Sequence, residues 1–209
     1  DVPVLITGES GVGKTLLARA LAEATGRHPA VRATLGSSDD LNTITSELFG
    51  HERGAFSGAV AKRQGIVELA DGGTLILDEV LNLPAHAQQL LLDFVQFGTF
   101  RPLGHRDAAP RRAHVRLVAV TNGDLEAAVR AGRFREDLYS RLAGTPLRVP
   151  PLRERREDIP ALTERVLARV DPERAWTVSL EARRALLSDA RAWPGNVRQL
   201  EHVVLGARA

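Results

Sequence analysis

Two patterns of apolar positions alternate along the chain. Short apolar runs at Val2–Thr7, Ala30–Leu35, Thr74–Leu77, Val115–Thr121 and Thr145–Val149 have the length and branched-residue content of buried strands. Between them lie stretches of helical period. Lys14–Thr25 is closed by Gly26, and Pro84–Phe97 carries Pro84 in its first turn and Gly98 just past its end. Strands alternating with helices predict an α/β fold with a parallel sheet. Residues 99–114 fit a hairpin excursion with Gly104 and Pro110 as breakers. After Pro150-Pro151 the pattern changes. Asp158–Val170, Ser179–Ala192 and Asn196 to the end all read as helix, with no further strand run. The expected organisation is an α/β domain over residues 1–150 followed by a helical one over 151–209, without internal repeats.

Composition narrows the classes. With 209 residues, 44% of them hydrophobic, the chain can bury a substantial core near the upper end of single-domain size. Basic and acidic residues nearly balance, 28 against 26, and Lys14 and Lys62 are the only lysines. The high isoelectric point therefore reflects arginine usage and not a nucleic-acid surface. The absence of cysteine excludes disulfides and thiolate metal sites and fits a reducing, cytoplasmic setting. No apolar run approaches the roughly 18 residues a membrane span needs, and the start lacks a signal-peptide pattern, so a soluble protein without membrane contact is expected. There is no methionine, and the first residues already read as a core strand. An excised piece of a larger protein is expected.

The chemistry concentrates at the ends of strands. Gly8-Glu9-Ser10-Gly11-Val12-Gly13-Lys14-Thr15 fits G-x-x-x-x-G-K-[ST] between a predicted strand and a predicted helix. Glycines let the backbone wrap a polyphosphate so that its N–H groups and the helix start face negative charge. Gly8 through Leu16 are thus the candidate nucleotide-binding residues, with Lys14 on the β and γ phosphates and the Thr15 hydroxyl on Mg²⁺. The competing interpretation is a glycine-rich turn with a solvated lysine. Thr74-Leu-Ile-Leu-Asp78-Glu79 is an apolar strand delivering two acids to the carboxyl edge of the sheet, where open α/β folds bind ligands. Asp78 is placed to hold Mg²⁺ and Glu79 to polarise the attacking water. Adjacent acids after a strand are also ordinary loop residues, and the phosphate loop upstream favours catalysis.

The block Glu47-Leu-Phe-Gly-His-Glu-Arg-Gly54-Ala55-Phe56-Ser57-Gly58-Ala59 resembles the signature loop of sigma-54-dependent transcription activators, AAA+ ATPases also called bacterial enhancer-binding proteins. The resemblance continues in order through Gly72–Glu79, Val115–Asn122, Gly132–Tyr139, Pro150–Pro160 and Trp193–Arg198. It implies a three-layer P-loop NTPase with a five-stranded parallel sheet and a small, truncated all-helical lid. It further implies ATP and Mg²⁺ as ligands, sigma-54 of RNA polymerase as partner, and a closed ring of subunits, a hexamer by resemblance.

Read physically, Gly54 and Gly58 flank Ala55-Phe56, so the loop can bend sharply and expose an aromatic ring to a partner; the other possibility is a Phe tucked back onto its own domain. The resemblance makes Gly54 through Ala59 the sigma-54 contact. It matches Arg135 and Arg141 to arginines that enter a neighbouring subunit's site, where a planar guanidinium suits a transferring phosphoryl group; plain surface arginines are the alternative. It also matches Thr121-Asn122 to a first sensor of the γ-phosphate and Arg198 to a second. Arg198 falls in the first turn of a predicted helix, an unfavourable place for a cation that a bound phosphate would offset. Two departures stand out. Ser57 replaces the family's usual threonine. The family's switch asparagine on the second strand is missing from Val31-Arg-Ala-Thr34-Leu-Gly36, where Thr34 is the candidate substitute. The hairpin tip with Pro110 and Arg111-Arg112 is also longer than usual. The expected activity is an ATP-hydrolysing core that remodels the sigma-54 polymerase complex, with DNA binding left to a domain outside this chain. The alternatives are a nucleotide-sensing module with little turnover and another AAA+ remodeller.

Overall fold

All five apolar runs form strands: β1 (Val4–Thr7), β2 (Ala30–Thr34), β3 (Thr74–Asp78), β4 (Arg116–Thr121) and β5 (Thr145–Arg148). They make one sheet in the order β2-β3-β4-β1-β5. The β2–β3, β3–β4 and β4–β1 pairings are parallel. β3 is buried along its whole length and β4 from Leu117 onward, as the unbroken apolar runs of a parallel sheet covered on both faces require. The computed structural model describes residues 2–35, 41–170, 173, 176–188 and 190–207. Contacts divide the chain into two units, the first holding the residues up to Thr7 and Thr15–Leu147, the second Gly8–Lys14 and everything from Arg148.

In the first unit, α1 (Lys14–Ala24) starts at the glycine-rich loop, and Gly26 past its end adopts φ 63°. The helix α2 (Leu41–Phe49) was not among the predicted elements. α3 (Ala85–Phe97) begins one residue later than expected because Pro84 is the extended cap; Gly98 ends it in the left-handed region. α4 (Leu125–Arg130) is capped by the Asp124 carboxylate, which accepts from Ala127 N, and α5 (Glu136–Leu142) follows. Phe49, Phe94 and Phe100 pack with ring centroids 6.1–6.4 Å apart inside this core. The predicted hairpin exists, but Arg111-Arg112 belongs to its return strand, pairing with Thr99-Phe100, and not to its tip.

The second unit contains α6 (Ile159–Val170), α7 (Leu180–Leu187) and α8 (Asn196–Gly206) around Leu152, Ile159, Trp193 and Leu200. The helix expected over Ser179–Ala192 stops at Leu187. There the Arg156 guanidinium donates to the carbonyls of Leu187, Ser188 and Arg191, taking up groups that a longer helix would use internally. Of the predicted positions, Gly36, Asp189 and residues 208–209 lie outside the described residues. Among the described residues no helix is long and apolar enough to cross a membrane.

Candidate functional site

In the first unit, the parallel register sets Thr121 at the carboxyl end of β4 beside Thr7 of β1 and places Asp78 of β3 opposite Val120. Asp78 is 5% exposed, and its Oδ2 accepts from Thr15 Oγ1 at 2.8 Å. The same oxygen accepts from Arg32 Nη2 at 2.7 Å, an ion pair that the sequence reading missed. Alternation along β2 puts Arg32 and Thr34 on one face, but only the pairing register with β3 brings that face to Asp78. Thr34 makes no hydrogen bond with Glu79 among the described residues. A hydroxyl and a carboxylate are hard oxygen donors of the kind Mg²⁺ takes, and one or two protein groups suffice where phosphate and water complete the shell. Among the described residues no cluster of three or more His, Asp or Glu forms a larger metal site.

Glu79 holds φ 62° and ψ 47° directly after the strand. For a non-glycine residue this left-handed conformation costs about 1–2 kcal/mol, and it turns the chain into the short helix Val80–Asn82. Glu79 Oε2 accepts from Asn122 N at 3.4 Å, so the second acid and the Thr121-Asn122 segment are adjacent. Thr121 is buried, with its hydroxyl accepting from Gly123 N, while Asn122 is exposed.

In the second unit, the loop from Gly8 to Lys14 has three glycines at positive φ: 148°, 77° and 103° at Gly8, Gly11 and Gly13. At Gly11 a side chain would collide with the Gly195 carbonyl oxygen and come within 3.2 Å of Arg198 Cβ, so Arg198 lies beside the loop. Lys14 is 7% exposed, and its Nζ donates to Gly8 O at 2.8 Å and Glu9 O at 2.9 Å. Ser10 and Gly13 are exposed, Val12 is buried, and Leu16, in the first unit, is exposed on α1. Three residues with no role assigned from sequence complete this set. Arg153 forms a fork on the Glu9 carboxylate at 2.8 and 2.5 Å, Asn196 Nδ2 donates to Glu9 Oε2, and Arg155 donates to Val12 O.

The hydrogen bonds from Arg153 and Asn196 hold the Glu9 carboxyl at about 2, below its usual 4.5. A depressed acid contributes stability above its unfolded value and loses it as pH falls towards the folded one. The urea midpoint of the parent protein should therefore lie above that of Glu9→Gln near neutrality, and that advantage should shrink as pH falls from about 4.5 towards about 2. Parallel midpoints throughout that window would show that the pair contributes nothing.

In the Gly54–Ala59 loop, the second of the two arrangements open to Phe56 is the one adopted. Phe56 is half-buried, its ring edge-on to His51 at a centroid distance of 5.1 Å, and Ala59 is 5% exposed. Gly54 N donates to Ala59 O and Ala59 N to Phe56 O, which folds the loop back on itself. Val60, at 81%, is the strongly exposed apolar residue of this segment; Gly54, Ser57 and Gly58 are exposed beside it. Glu52 N donates to Leu103 O, and Arg111 bridges Glu52 and Glu68, so loop and hairpin are tied together. On α5, Arg135 is held by Asp137 at 3.0 and 2.7 Å. Arg141 is exposed and makes no hydrogen bond or ion pair with the described residues.

The sigma-54 interaction domain family matches residues 1–148, and the AAA+ ATPase lid domain family matches residues 153–209. The DNA-binding transcriptional regulator NtrC of Rhizobium meliloti (strain 1021) is 45% identical over 206 residues, 98% of this chain and 42% of that protein. The Nif-specific regulatory protein of Azotobacter vinelandii is 47% identical over 203 residues, 95% of this chain and 38% of that protein. The chain thus spans about two fifths of the length of the curated relatives it matches. Among solved structures, NtrX from Brucella abortus in complex with ATP superposes with a TM-score of 0.82 at 34% identity, covering 97% of this chain and 44% of that one. The ADP complex of the same protein matches equally well. A parallel sheet that ends in a phosphate loop and paired acids, matched by the family along most of its length, makes this chain a member of the sigma-54 interaction domain family of AAA+ ATPases.

Proposed function

We propose that this chain is the ATP-hydrolysing core of a transcription activator that remodels RNA polymerase carrying sigma-54. Residues 1–150 serve as the nucleotide-binding part and 151–209 as the lid. The observation that carries this is the Thr15–Asp78 hydrogen bond, which joins the start of α1 to the acidic end of β3. Mg²⁺ held at these two oxygens would neutralise charge on the β and γ phosphates. Gly8 to Gly13 bind the phosphates through backbone N–H groups, Lys14 supplies a cation to them, and Leu16 follows in the first turn of α1. Glu79 orients and polarises the attacking water, Asn122 and Thr121 report the γ-phosphate, and Arg198 reports it to the lid. Arg135 and Arg141 act on the site of an adjoining subunit, which requires head-to-tail association into a closed ring, by resemblance a hexamer. DNA binding belongs to a part of the protein outside this chain.

The Gly54–Ala59 loop is the sigma-54 contact, with Phe56 as its anchor. The edge-on pairing of Phe56 with His51 is worth only about 0.5–1.5 kcal/mol beyond its burial, small enough for nucleotide binding to lift the ring and for hydrolysis to release it. Phe56→Ala is expected to keep ATP turnover within about threefold while abolishing capture of sigma-54 in the presence of an ATP transition-state mimic. Retained capture would refute the assignment of the loop. A sensing module with little turnover is the second possibility, motivated by Thr34 standing apart from Glu79. Activity per subunit that stays flat up to high protein concentration would favour it, whereas activity that climbs as rings assemble supports hydrolysis at a shared site.

A further inference from the structure

The five successive carbonyl oxygens of the phosphate loop are all paired. Lys14 Nζ takes those of Gly8 and Glu9 at 2.8 and 2.9 Å. Asn196 Nδ2 donates to Ser10 O at 3.0 Å, Val197 N to Gly11 O at 3.0 Å and Arg155 Nη2 to Val12 O at 2.6 Å. The helical part of the chain therefore supplies donors to three consecutive carbonyls of a loop some 140 residues and more away in sequence. A peptide unit is planar, with its C=O and the following N–H pointing in opposite directions. Each pinned carbonyl therefore turns the N–H that follows it, from Glu9 to Gly13 in succession, away from the group that holds it. None of those N–H groups donates to a protein atom among the described residues. Successive unpaired N–H groups, each oriented by the paired carbonyl before it, are the makings of a nest for an anion.

The donors are placed with some care. Asn196 is fully buried at φ 52°, a left-handed position that asparagine tolerates. Its Oδ1 accepts from Leu152 N at 2.7 Å while its Nδ2 reaches both Ser10 O and Glu9 Oε2. Arg155 commits Nη2 to the loop, although this leaves its own Nε buried without a hydrogen bond. A buried polar atom left unpaired points to a requirement other than stability. Arg153 neutralises the Glu9 carboxylate, whose charge would otherwise oppose a phosphate.

We infer that Asn196 and Arg155 are positioning residues that hold the phosphate loop in its anion-receptive form, so that the lid sets nucleotide affinity before any nucleotide is present. This rests on the nucleotide-binding function proposed above. Arg155→Met keeps the aliphatic stem and removes the donors, Arg155→Lys keeps one donor, and Asn196→Asp keeps the acceptor for Leu152 N while losing Nδ2. Calorimetry with ADP should show about a tenfold loss of affinity for Arg155→Met and for Asn196→Asp. Arg155→Lys should recover part of it. Adenosine, which has no phosphate to place in the nest, should bind all four proteins within about twofold in competition against a fluorescent ADP analogue, the ratio being set by the loop alone. Unchanged ADP affinity in both Arg155→Met and Asn196→Asp would overturn the inference, as would equal losses for ADP and adenosine, which mark general damage to the lid. Failure of the parent protein itself to bind ADP would instead remove the nucleotide-binding function and this inference with it.

Discussion

Alanine in place of Arg141 is expected to lower the ATP turnover of the assembled protein by about 10³- to 10⁵-fold, roughly 4–7 kcal/mol of barrier. Affinity for ADP should change little. The reasoning starts from charge. In the transition state of phosphoryl transfer, negative charge spreads over equatorial oxygens, and a planar guanidinium stabilises it far more than it stabilises ADP. Arg141 suits that role because it is exposed in the last turn of α5 and unpaired among the described residues. Arg135 starts from a different position. Its guanidinium forms a fork on Asp137, whose carboxyl lies below its usual range for that reason, and the fork must open before Arg135 can reach another subunit. Steady-state turnover measured with saturating ATP, alongside ADP calorimetry, separates the two effects. An Arg141→Ala protein retaining a tenth or more of the parent turnover would remove it from the shared site.

How much of this was readable in the sequence depends on how local each interaction is. The phosphate loop is one unbroken segment whose neighbours in sequence are its neighbours in structure, so strand, turn and helix announce it together. The acids on β3 were legible for the same reason, since an apolar strand of five residues determines where its last side chain emerges. Arg32 was not legible. Its reach to Asp78 depends on β2 pairing with β3 in the register that sets Thr34 opposite Asp78, and that register is fixed only when the sheet assembles. The placement of Phe56 stayed open between two arrangements for a related reason. Flanking glycines permit exposure without requiring it, and the ring turns back because His51, held by Ser46 and Ala61, offers it a surface. The early end of α7 comes from Arg156, more than thirty residues away, while the local sequence contains no stop signal before Pro194. The three donors to the loop carbonyls are tertiary in the same way: Arg155 and Asn196 sit in motifs the sequence displays, yet their targets lie at the opposite end of the chain.

Glu79→Gln should bind ATP about as well as the parent protein but turn it over about 10²- to 10⁴-fold more slowly, the range general-base assistance supplies. The amide preserves shape and a hydrogen-bonding oxygen for Asn122 N and removes only the charge that polarises water. The strained backbone at Glu79 makes this position informative. A residue held at φ 62° directly after a buried strand is aimed by the fold, so an isosteric change tests chemistry with little rearrangement. Mixing then links this variant to Arg141→Ala. Each is expected to be nearly inactive alone. If the arginine acts on a neighbour's site, an equal mixture forms interfaces in which a normal Glu79 from one protein faces a normal Arg141 from the other. Random assembly places about a quarter of the interfaces in that arrangement, and turnover should rise to a comparable fraction of the parent value. An arginine acting within its own subunit predicts no recovery at any ratio, because neither protein then contains one complete site.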